Sequence, residues 1–506
     1  MTNTNAKNKI IAKNTFFLYF RMALVLLISL YTTRVVLRTL GVVDYGINNV
    51  VCGFVSMFSF MNTSISIGIQ RFINFAKGKK DVEEQKHVFA ISFIIQVLLS
   101  VFVLVVLETF GVWYINNQLV IPEERLFAAH CIFQLSTFSL LLVMIQAPYC
   151  ACILAYERMD YYAIVSIIDV TLKLIAVILL PYIDFDKLIL YGILLFCISL
   201  LNLFLYYGYC QIKISISRFK WYFNVQLFKN ILSFTGWNLF EMFAYMMKGQ
   251  GLNMLLNSFF GPIVNAARGV ANMIYNAIQG FNSNMVVAFR PQLVESYAQD
   301  EYERVAKLMF SLSKLTYVLL FSLSLPLMLE LPFVLDLWLG DGYPNYTEGF
   351  TILVLIDMII CSLNTPLSQV VQATGIIKTY QIVRSIVVLS LLPISWIYLY
   401  FGYPAYTVFY INIVVSIVNH PISMVLLRRV FPYSYWEYCK KTILPCILYT
   451  LLLPLVPFSA HHLIMNSVLR FTVVLLLSIL MSLLIFYYII MDKNEKAVFK
   501  KMIIRK

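Results

Sequence analysis

The stretch TTRVVLRTLGVVDYG, residues 32–46, places Arg34, Arg38 and Asp44 inside one of the most apolar regions of the chain. The apolar run that leads into it begins at Phe16 and is long enough for a helix that crosses the hydrocarbon of a bilayer. A charged side chain within such a helix is costly against lipid, so these charges are expected to face protein or water.

The composition agrees with a membrane setting. The chain has 506 residues, of which 61% are hydrophobic and only 12% charged, and its mean hydropathy is +0.81. A soluble domain has about 25% charged residues. Apolar runs recur as far as Ile490, which predicts an all-α polytopic membrane protein with about fourteen transmembrane helices. The predicted centres of these helices are Ile28, Met57, Val101, Leu140, Leu174, Phe196, Phe243, Tyr275, Leu320, Met358, Ser390, Val414, Tyr449 and Leu480.

The first of these runs is interpreted as an uncleaved span. Lys7, Lys9 and Lys13 precede it, but the run is longer than a signal-peptide core and carries no cleavage-site pattern. The nine cysteines are scattered through apolar runs, which favours packing roles over disulfide or metal-binding roles.

Lysines and arginines alternate between the gaps that separate the predicted helices. One set of alternate gaps, which includes Arg71–Lys86, Arg290–Lys307 and Lys378–Arg384, holds 28 of them together with both termini. The other set holds only Arg125, Lys187 and Arg470. Basic residues concentrate on the cytoplasmic side of membrane proteins, so both termini are predicted to be cytoplasmic. The same asymmetry accounts for the net charge of +13 through contact with anionic membrane lipids, without any nucleic-acid partner.

Several function classes are disfavoured. No glycine-rich phosphate loop followed by Lys and Ser or Thr is present, which argues against an ATPase. The gaps between helices are short, which argues against an enzyme whose catalytic groups sit in large external loops. We find no catalytic constellation and no metal-ligand spacing, and therefore predict neither an enzyme nor a cofactor.

The middle of the chain resembles its beginning. Gly41 and Gly261 each precede an Asn-containing helix and match at an offset of 220, whereas Arg71 and Asp81 match Arg290 and Asp300 at an offset of 219. A duplicated six-helix unit predicts two lobes around a central cavity and a final helix pair. The predicted domains are residues 1–220, 221–435 and 436–506. Shared topology alone is the alternative explanation for the similar helix ends.

Charges and amides within the predicted helices are the candidate site residues. Arg34 and Arg38 are spaced i, i+4 and share a helix face, whereas Arg21 points elsewhere. An anion-facing role, snorkelling to lipid headgroups (chiefly for Arg38) and an ion pair with Asp44 remain open for Arg34, Arg38 and Arg268. Asp169 and Lys173 are also spaced i, i+4, which predicts mutual neutralisation. The remaining candidates are Lys248, Glu241, Arg268, Asn272 and Asn276, with hydroxyl binding and interhelical hydrogen bonding as alternatives for the two asparagines.

The residues TRVVLRTLGVVDYGINNVV and FFGPIVNAARGVANMIYNAIQGFNSNMVVAFRPQLVESYA resemble the polysaccharide-exporter branch of the multidrug/oligosaccharidyl-lipid/polysaccharide exporter superfamily, over essentially the whole chain. The resemblance implies a MATE-like fold and a flippase of the bacterial inner membrane. Its expected substrate is an undecaprenyl-pyrophosphate-linked oligosaccharide for O-antigen, lipopolysaccharide or capsule synthesis. The family's first-helix arginine matches Arg38 or Arg34, and Arg268 occupies the related place in the second lobe.

The same resemblance implies glycosyltransferases and a polysaccharide polymerase as partners. Three other functions remain open from the sequence: a multidrug or cation antiporter of the same superfamily, a flippase for the peptidoglycan lipid precursor, and a membrane-embedded polymerase. An antiporter for cations is expected to present carboxylates, whereas the buried charge here is mainly basic.

Overall fold

In a computed structural model of the chain, residues 2–117, 121–340, 343–491 and Lys496 are described. These residues form helices and connecting turns, and no β-strand occurs among them. The all-α class predicted from composition is therefore confirmed.

The helices follow one another with short connections. In chain order they are α1 (Thr2–Ser56), α2 (Ser59–Gly78), α3 (Val82–Val106), α4 (Val112–Asn117), α5 (Leu126–Ala155), α6 (Met159–Leu179), α7 (Lys187–Lys213), α8 (Val225–Phe260), α9 (Pro262–Ala298), α10 (Tyr302–Leu329), α11 (Leu331–Leu339), α12 (Thr347–Ser362), α13 (Asn364–Thr374), α14 (Lys378–Leu389), α15 (Leu391–Tyr400), α16 (Tyr406–Arg428), α17 (Tyr435–Tyr438), α18 (Leu444–Leu452), α19 (Leu455–Leu463) and α20 (Ser467–Ile485). Single π-helical turns, Leu107–Gly111, Cys439–Ile443 and Phe486–Ile490, extend three of them.

Twelve of the fourteen predicted helix centres lie in separate helices. The other two, Met57 and Ser390, lie at turns inside the spans Val43–Gly78 and Lys378–Tyr400. Twelve segments of the described chain are long and apolar enough to cross a membrane. The other two predicted spans correspond to α8 and α9, which are 36 and 37 residues long but more polar. A helix of that polarity needs protein or water beside much of its surface, because lipid does not solvate amides and charges.

Contacts divide the chain into two compact units. We call Ile10–Leu239 the N-terminal unit, and Phe240–Lys506, to which Met1–Lys9 is also assigned, the C-terminal unit. The division falls inside helix α8, so the predicted lobe boundary at residue 220 and the predicted separate pair from residue 436 stay predictions.

Both units contain a helix break at a glycine with positive φ. The long helix α1 is broken at Gly41, which has φ 78° and ψ 172°, and Gly261 between α8 and α9 has φ 80° and ψ −173°. This region of φ and ψ is almost exclusive to glycine. In each unit a residue with positive φ, Lys80 or Asp300, follows at the same distance along the chain from its glycine.

The hydrogen bonds of the two turns match as well. The backbone N–H of Asp81 donates to Ala76 O at 3.0 Å, and that of Glu301 donates to Ser296 O at 2.9 Å. The turns therefore repeat in the register of the two glycines, and the offset of 219 predicted from Arg71 and Arg290 is wrong by one residue. Matching Arg71 to Arg290 does not detect that the turns after them are related by an offset of 220 and not 219.

Arg71 and Arg290 also lie deeper than predicted. Both were assigned to cytoplasmic gaps, but they belong to α2 and α9. Arg71 is 8% exposed and its guanidinium lies 4.6 Å from the ring centroid of Phe72. The Arg290 Nε donates to Gln369 Oε1 of α13 at 2.9 Å. Buried arginines are stabilised by such ring and amide contacts, since a guanidinium is only weakly hydrated.

Helix α5 is the centre of the N-terminal unit, where it packs against α2, α3 and α7. Its small side chains Ala147, Ala151 and Ala155 are buried, which lets neighbouring backbones approach closely. In the C-terminal unit, α9 packs against α10, α12 and α13.

The last helices are held to α10 by polar contacts inside the C-terminal unit. The Glu330 carboxylate, fully buried, lies 2.6 Å from Nδ1 of His461 and 2.9 Å from Nε of Arg470. Further along, the hydroxyls of Ser322, Tyr449 and Ser482 form hydrogen bonds of 2.6–2.7 Å with one another. These side chains fix α18–α20 on α10 by directional contacts where lipid supplies little driving force for helix association.

The glycine breaks make a prediction about stability. Gly261→Ala forces a β-carbon into a conformation that costs roughly 1–3 kcal/mol, so the variant is expected to melt at lower temperature in detergent. Gly269→Ala is the matched control, because Gly269 is inside α9 with open space around its Cα, and alanine there stabilises a helix. Equal melting temperatures for the two variants would show that the break carries no strain.

Candidate functional site

The candidate residues divide between the units. Those of the C-terminal unit lie on α8 and α9, namely Glu241, Lys248, Arg268, Asn272 and Asn276. Those of the N-terminal unit lie on α1 and α6, namely Arg21, Arg34, Arg38, Asp44, Asp169 and Lys173.

Arg268 is the buried cation of helix α9. It lies two turns after the Gly261 break, where Pro262 opens the helix, and only 6% of it is exposed. Its Nη1 donates to Gly249 O of α8 at 3.1 Å and to the side-chain oxygen of Asn253. Both acceptors are neutral, and no carboxylate of the described chain lies within ion-pair distance of Arg268. The guanidinium therefore keeps its full positive charge in an apolar bundle.

Lys248 and two asparagines lie close along helices α8 and α9 to Arg268 or to its acceptor Gly249. Lys248 directly precedes Gly249, is partly buried, and forms no hydrogen bond or ion pair with any described residue. Asn272 and Asn276 follow Arg268 at i+4 and i+8 on the unbroken helix α9, so the three residues form one stripe. Asn272 is partly buried and Asn276 exposed, and neither has a hydrogen-bond partner in the described part of the protein.

Glu241 is compensated inside the C-terminal unit. Its carboxylate accepts from Arg384 Nη1 at 2.9 Å, and both side chains are almost fully buried. Arg384 Nη2 also donates to Tyr245 Oη at 3.0 Å, and its guanidinium lies 5.0 Å from the Tyr380 ring centroid. Arg384 was predicted to lie in a cytoplasmic gap, whereas it lies in α14. The apolar residues that follow Arg384 in the sequence could have indicated that it lies inside a helix, where a lone arginine usually has an acidic partner.

Asp357 is a second buried carboxylate that the candidate set omitted. It is 9% exposed, and Ser416 Oγ of α16 donates to its Oδ1 at 2.5 Å. The thiol of Cys361, one turn along α12, is 3.3 Å from the same serine oxygen. A carboxylate inside a span is a default functional candidate, but here it is engaged by a neutral hydroxyl.

In the N-terminal unit, the predicted Asp169–Lys173 pair is confirmed. Lys173 Nζ is 2.8 Å from Asp169 Oδ2, and Asn202 of α7 donates to the other carboxylate oxygen at 2.7 Å. Arg21 on α1 points to α6 as well, with its guanidinium 4.8 Å from the Tyr162 ring centroid and Nη1 3.4 Å from Ser166 Oγ. Arg21 thus contacts α6 through the ring of Tyr162 and the hydroxyl of Ser166.

Asp44 does not pair with Arg38. Its carboxylate accepts two hydrogen bonds from Arg125, at 2.8 and 2.6 Å, and Arg125 also binds Asp186 at 2.5 Å. Asp186 in turn accepts from the backbone N–H of Leu188 and Ile189 and caps α7. The alternative of an ion pair between Asp44 and the first-helix arginines is therefore wrong for Arg38, because Arg125 occupies both oxygens.

Arg38 itself is exposed, three residues before the Gly41 break, and has no described hydrogen-bond or ion-pair partner. The side chain of Arg34 lies outside the described residues. Of the cations proposed for anion binding, Arg38, Lys248 and Arg268 are thus free of carboxylate partners within the described chain.

The Arg125 cluster predicts a dependence of stability on pH. The hydrogen bond from Arg125 lowers the pKa of Asp186 below its usual range, so the ionised form stabilises the folded state. An unperturbed Asp has a pKa of about 3.9, so this stabilisation is complete above that pH and is lost as pH falls through the lower folded-state pKa. Melting temperatures between pH 5 and pH 3 are expected to fall less steeply for Asp186→Asn than for wild type. Parallel curves would contradict the linkage.

The Glu241–Arg384 pair predicts strong coupling in a double-mutant cycle. Arg384→Gln leaves a buried carboxylate without its cation and is expected to cost about 3–5 kcal/mol of stability. Adding Glu241→Gln to that variant is expected to recover most of the loss, because neither charge then remains.

The control for this cycle is Glu303→Gln, which breaks the exposed i, i+4 pair with Lys307. Thermal melting in detergent measures all of these variants, and Glu303→Gln is expected to leave the melting temperature unchanged. Additive effects of Arg384→Gln and Glu241→Gln would show that the two side chains act independently.

No family model matches the chain, and no curated protein matches it in sequence. Solved structures match it in fold. MATE in the straight conformation is 13% identical with a TM-score of 0.73, over 84% of this chain and 97% of that one. A multidrug resistance MATE family transporter of the MOP superfamily, in an outward-facing conformation, is 13% identical with a TM-score of 0.72, over 85% and 97%.

A third match is a MOP superfamily transporter from Pyrococcus furiosus, for which reverse polarity of the binding pocket suggests a different function. It is 12% identical with a TM-score of 0.69, over 83% of this chain and 96% of that one. At these identities the likeness concerns the fold. The chain therefore has the MATE fold, as its sequence resemblance predicted, and is a multi-pass membrane protein.

Proposed function

We propose that the chain is a flippase that moves undecaprenyl-pyrophosphate-linked oligosaccharide units across the bacterial inner membrane for surface polysaccharide synthesis. The movement requires two conformations that bind the headgroup on opposite sides, and no bond chemistry. Glycosyltransferases on the cytoplasmic side then supply the substrate, and a polymerase on the outer side consumes it. Both termini are cytoplasmic in this proposal.

The observation that carries the proposal is the uncompensated charge of Arg268. Burying a guanidinium without a carboxylate is unfavourable unless another group supplies negative charge. Gly249 O and the Asn253 side chain orient Arg268 by neutral hydrogen bonds and do not cancel its charge. A pyrophosphate is an anion whose oxygen geometry suits the fork of arginine, so it can complete this arrangement.

The neighbouring polar residues suit the rest of such a substrate. Asn272 and Asn276 extend the Arg268 stripe along α9 with amide groups that can donate to and accept from sugar hydroxyls. Within the C-terminal unit, Lys248 adds a second cation without a described carboxylate partner. The stripe thus places a cation next to neutral amides, and the proposed substrate has a charged diphosphate next to a neutral, hydroxyl-rich chain.

A multidrug or cation antiporter is the second candidate, because MATE structures of that description match the fold. Such a protein needs a carboxylate that is available to a cationic compound. Glu241 is neutralised by Arg384, and Asp357 is engaged by Ser416 and is 9% exposed. Among the described residues, Lys248 and Arg268 thus have no ion-pair partner, whereas Glu241 and Asp357 are engaged, which favours an anionic substrate.

Transport in proteoliposomes tests the proposal. With a fluorescent undecaprenyl-pyrophosphate oligosaccharide as substrate, Arg268→Gln is expected to reduce the translocation rate by about tenfold or more, since hydrogen bonds to charged groups contribute about 1.5–3 kcal/mol. Charge reversal at Arg34 or Arg268 is expected to abolish transport while membrane insertion stays intact.

Lys307→Gln is the matched control, because Lys307 is an exposed cation of α10 that pairs only with Glu303 among the residues described. It is expected to keep the wild-type rate. Wild-type transport by Arg268→Gln would remove that residue from the mechanism. Transport of a cationic dye, with none of the lipid-linked sugar, would favour the antiporter.

A further inference from the structure

Two short segments of similar chemistry follow α7 and α16, one in each unit. The first, residues 213–223, reads KISISRFKWYF, and the second, residues 428–436, reads RRVFPYSYW. We call them the first and second aromatic–basic segments. Each combines two or more cations with several aromatic rings within a short stretch of sequence.

Each segment packs on the repeated turn of its own unit. In the first, the Tyr222 ring stacks on His87 near the start of α3, with ring centroids 3.6 Å apart. In the second, Phe431 lies 6.4 Å from Tyr297 and 6.0 Å from Tyr302, on either side of the turn between α9 and α10. The two segments therefore occupy equivalent ends of their units, the ends that the distribution of basic residues assigns to the cytoplasm.

Both segments present large rings to the surroundings. Trp221 is 77% exposed and Trp436 is 78% exposed, although each is anchored by buried or half-buried neighbours. Exposed tryptophans at the ends of membrane helices characteristically lie at the headgroup level of a bilayer. The adjacent Arg218 and Lys220, and Arg428 and Arg429, are exposed as well, so rings and cations face the same environment.

The second segment also forms an open cavity of about 710 Å³. It is lined by Arg428, Pro432, Tyr433, Ser434, Tyr435 and Trp436. The Arg428 guanidinium lies 4.5 Å from the Tyr435 ring centroid, which holds it beside the cavity. In the described chain no carboxylate lies within ion-pair distance of Arg428, so its charge is available to a ligand.

The cavity wall is itself rigid. Tyr433 Oη donates to Met424 O at 2.9 Å and ties the segment back to α16. Ser434 Oγ accepts from the backbone N–H of Glu437 at 3.3 Å and caps the short helix α17. Two hydrogen bonds therefore brace the turn that lies between Arg428 and Trp436.

We infer that this cavity binds the phosphate headgroup of an anionic membrane phospholipid, with Arg428 on the phosphate and Trp436 at the boundary of the acyl chains. Guanidinium groups bind phosphate oxygens through paired N–H donors. Each basic residue near an anionic membrane surface strengthens binding by about fivefold. Such a site is separate from Arg268 and is independent of the transported substrate.

Fluorescence quenching by brominated lipids tests this site in the intact protein. The chain has six tryptophans, so the Trp436 signal is taken as the difference between wild type and Trp436→Phe. In liposomes, brominated phosphatidylglycerol is expected to quench that component more strongly than brominated phosphatidylcholine. Arg428→Gln is expected to weaken the preference by about fivefold.

Trp396→Phe provides the matched control, because Trp396 is 50% exposed in a stretch, residues 385–406, that holds no lysine or arginine. Its component is expected to be quenched equally by both lipids. Equal quenching of Trp436 by the two lipids, or an unchanged preference in Arg428→Gln, would overturn the assignment. Loss of the preference on adding millimolar inorganic phosphate would also overturn it, in favour of a site for free phosphate.

Discussion

The structure depends on one constraint, the high cost of a charge surrounded by hydrocarbon. Each unit meets it by giving most inward charges a partner: Asp169 has Lys173 and Asn202, and Glu241 has Arg384. At helix ends the same constraint produces three-residue clusters, such as Arg125 between two aspartates. These contacts are directional, so they also determine which helices lie side by side, where apolar packing alone discriminates little.

The exceptions to this pairing are therefore informative. Arg268 is buried as deeply as the paired charges, yet its described acceptors are neutral oxygens. An ion pair would have been the less costly solution in a purely structural role. The proposed binding of an anionic substrate explains why this guanidinium is oriented by hydrogen bonds but not neutralised by a carboxylate.

Much of the fold could be predicted from the sequence, because hydropathy and charge distribution are read directly along the chain. The fourteen helix centres and the Asp169–Lys173 pair follow from such local patterns. The partners of Asp44 and Glu241 could not be predicted in this way. Arg125 and Arg384 are 81 and 143 residues away from them, and only the packing of the helices brings the charges together.

The candidate site could be predicted only in part, because local spacing shows which residues share a helix face but not which residues of other helices contact them. The stripe of Arg268, Asn272 and Asn276 depends only on helical spacing, and it persists because α9 is unbroken. Arg384 was misplaced because a single arginine near a helix end resembles part of a cytoplasmic gap. The register taken from Arg71 and Arg290 is wrong by one residue because identical side chains need not occupy equivalent backbone positions.

The register that places Gly41 on Gly261, and Lys80 on Asp300, has a consequence for how the two halves differ. Where the first half has Arg21 the second has Glu241, and where the first has Asn48 the second has Arg268. The place of Arg268 is therefore not that of Arg34 or Arg38, as the family resemblance implied, because those two arginines precede the glycine break and Arg268 follows it. Matching sites of the two halves thus carry side chains of different charge. The two halves therefore share their helix breaks but not their charges, so the glycine positions, rather than the charged side chains, mark which residues of the two halves correspond.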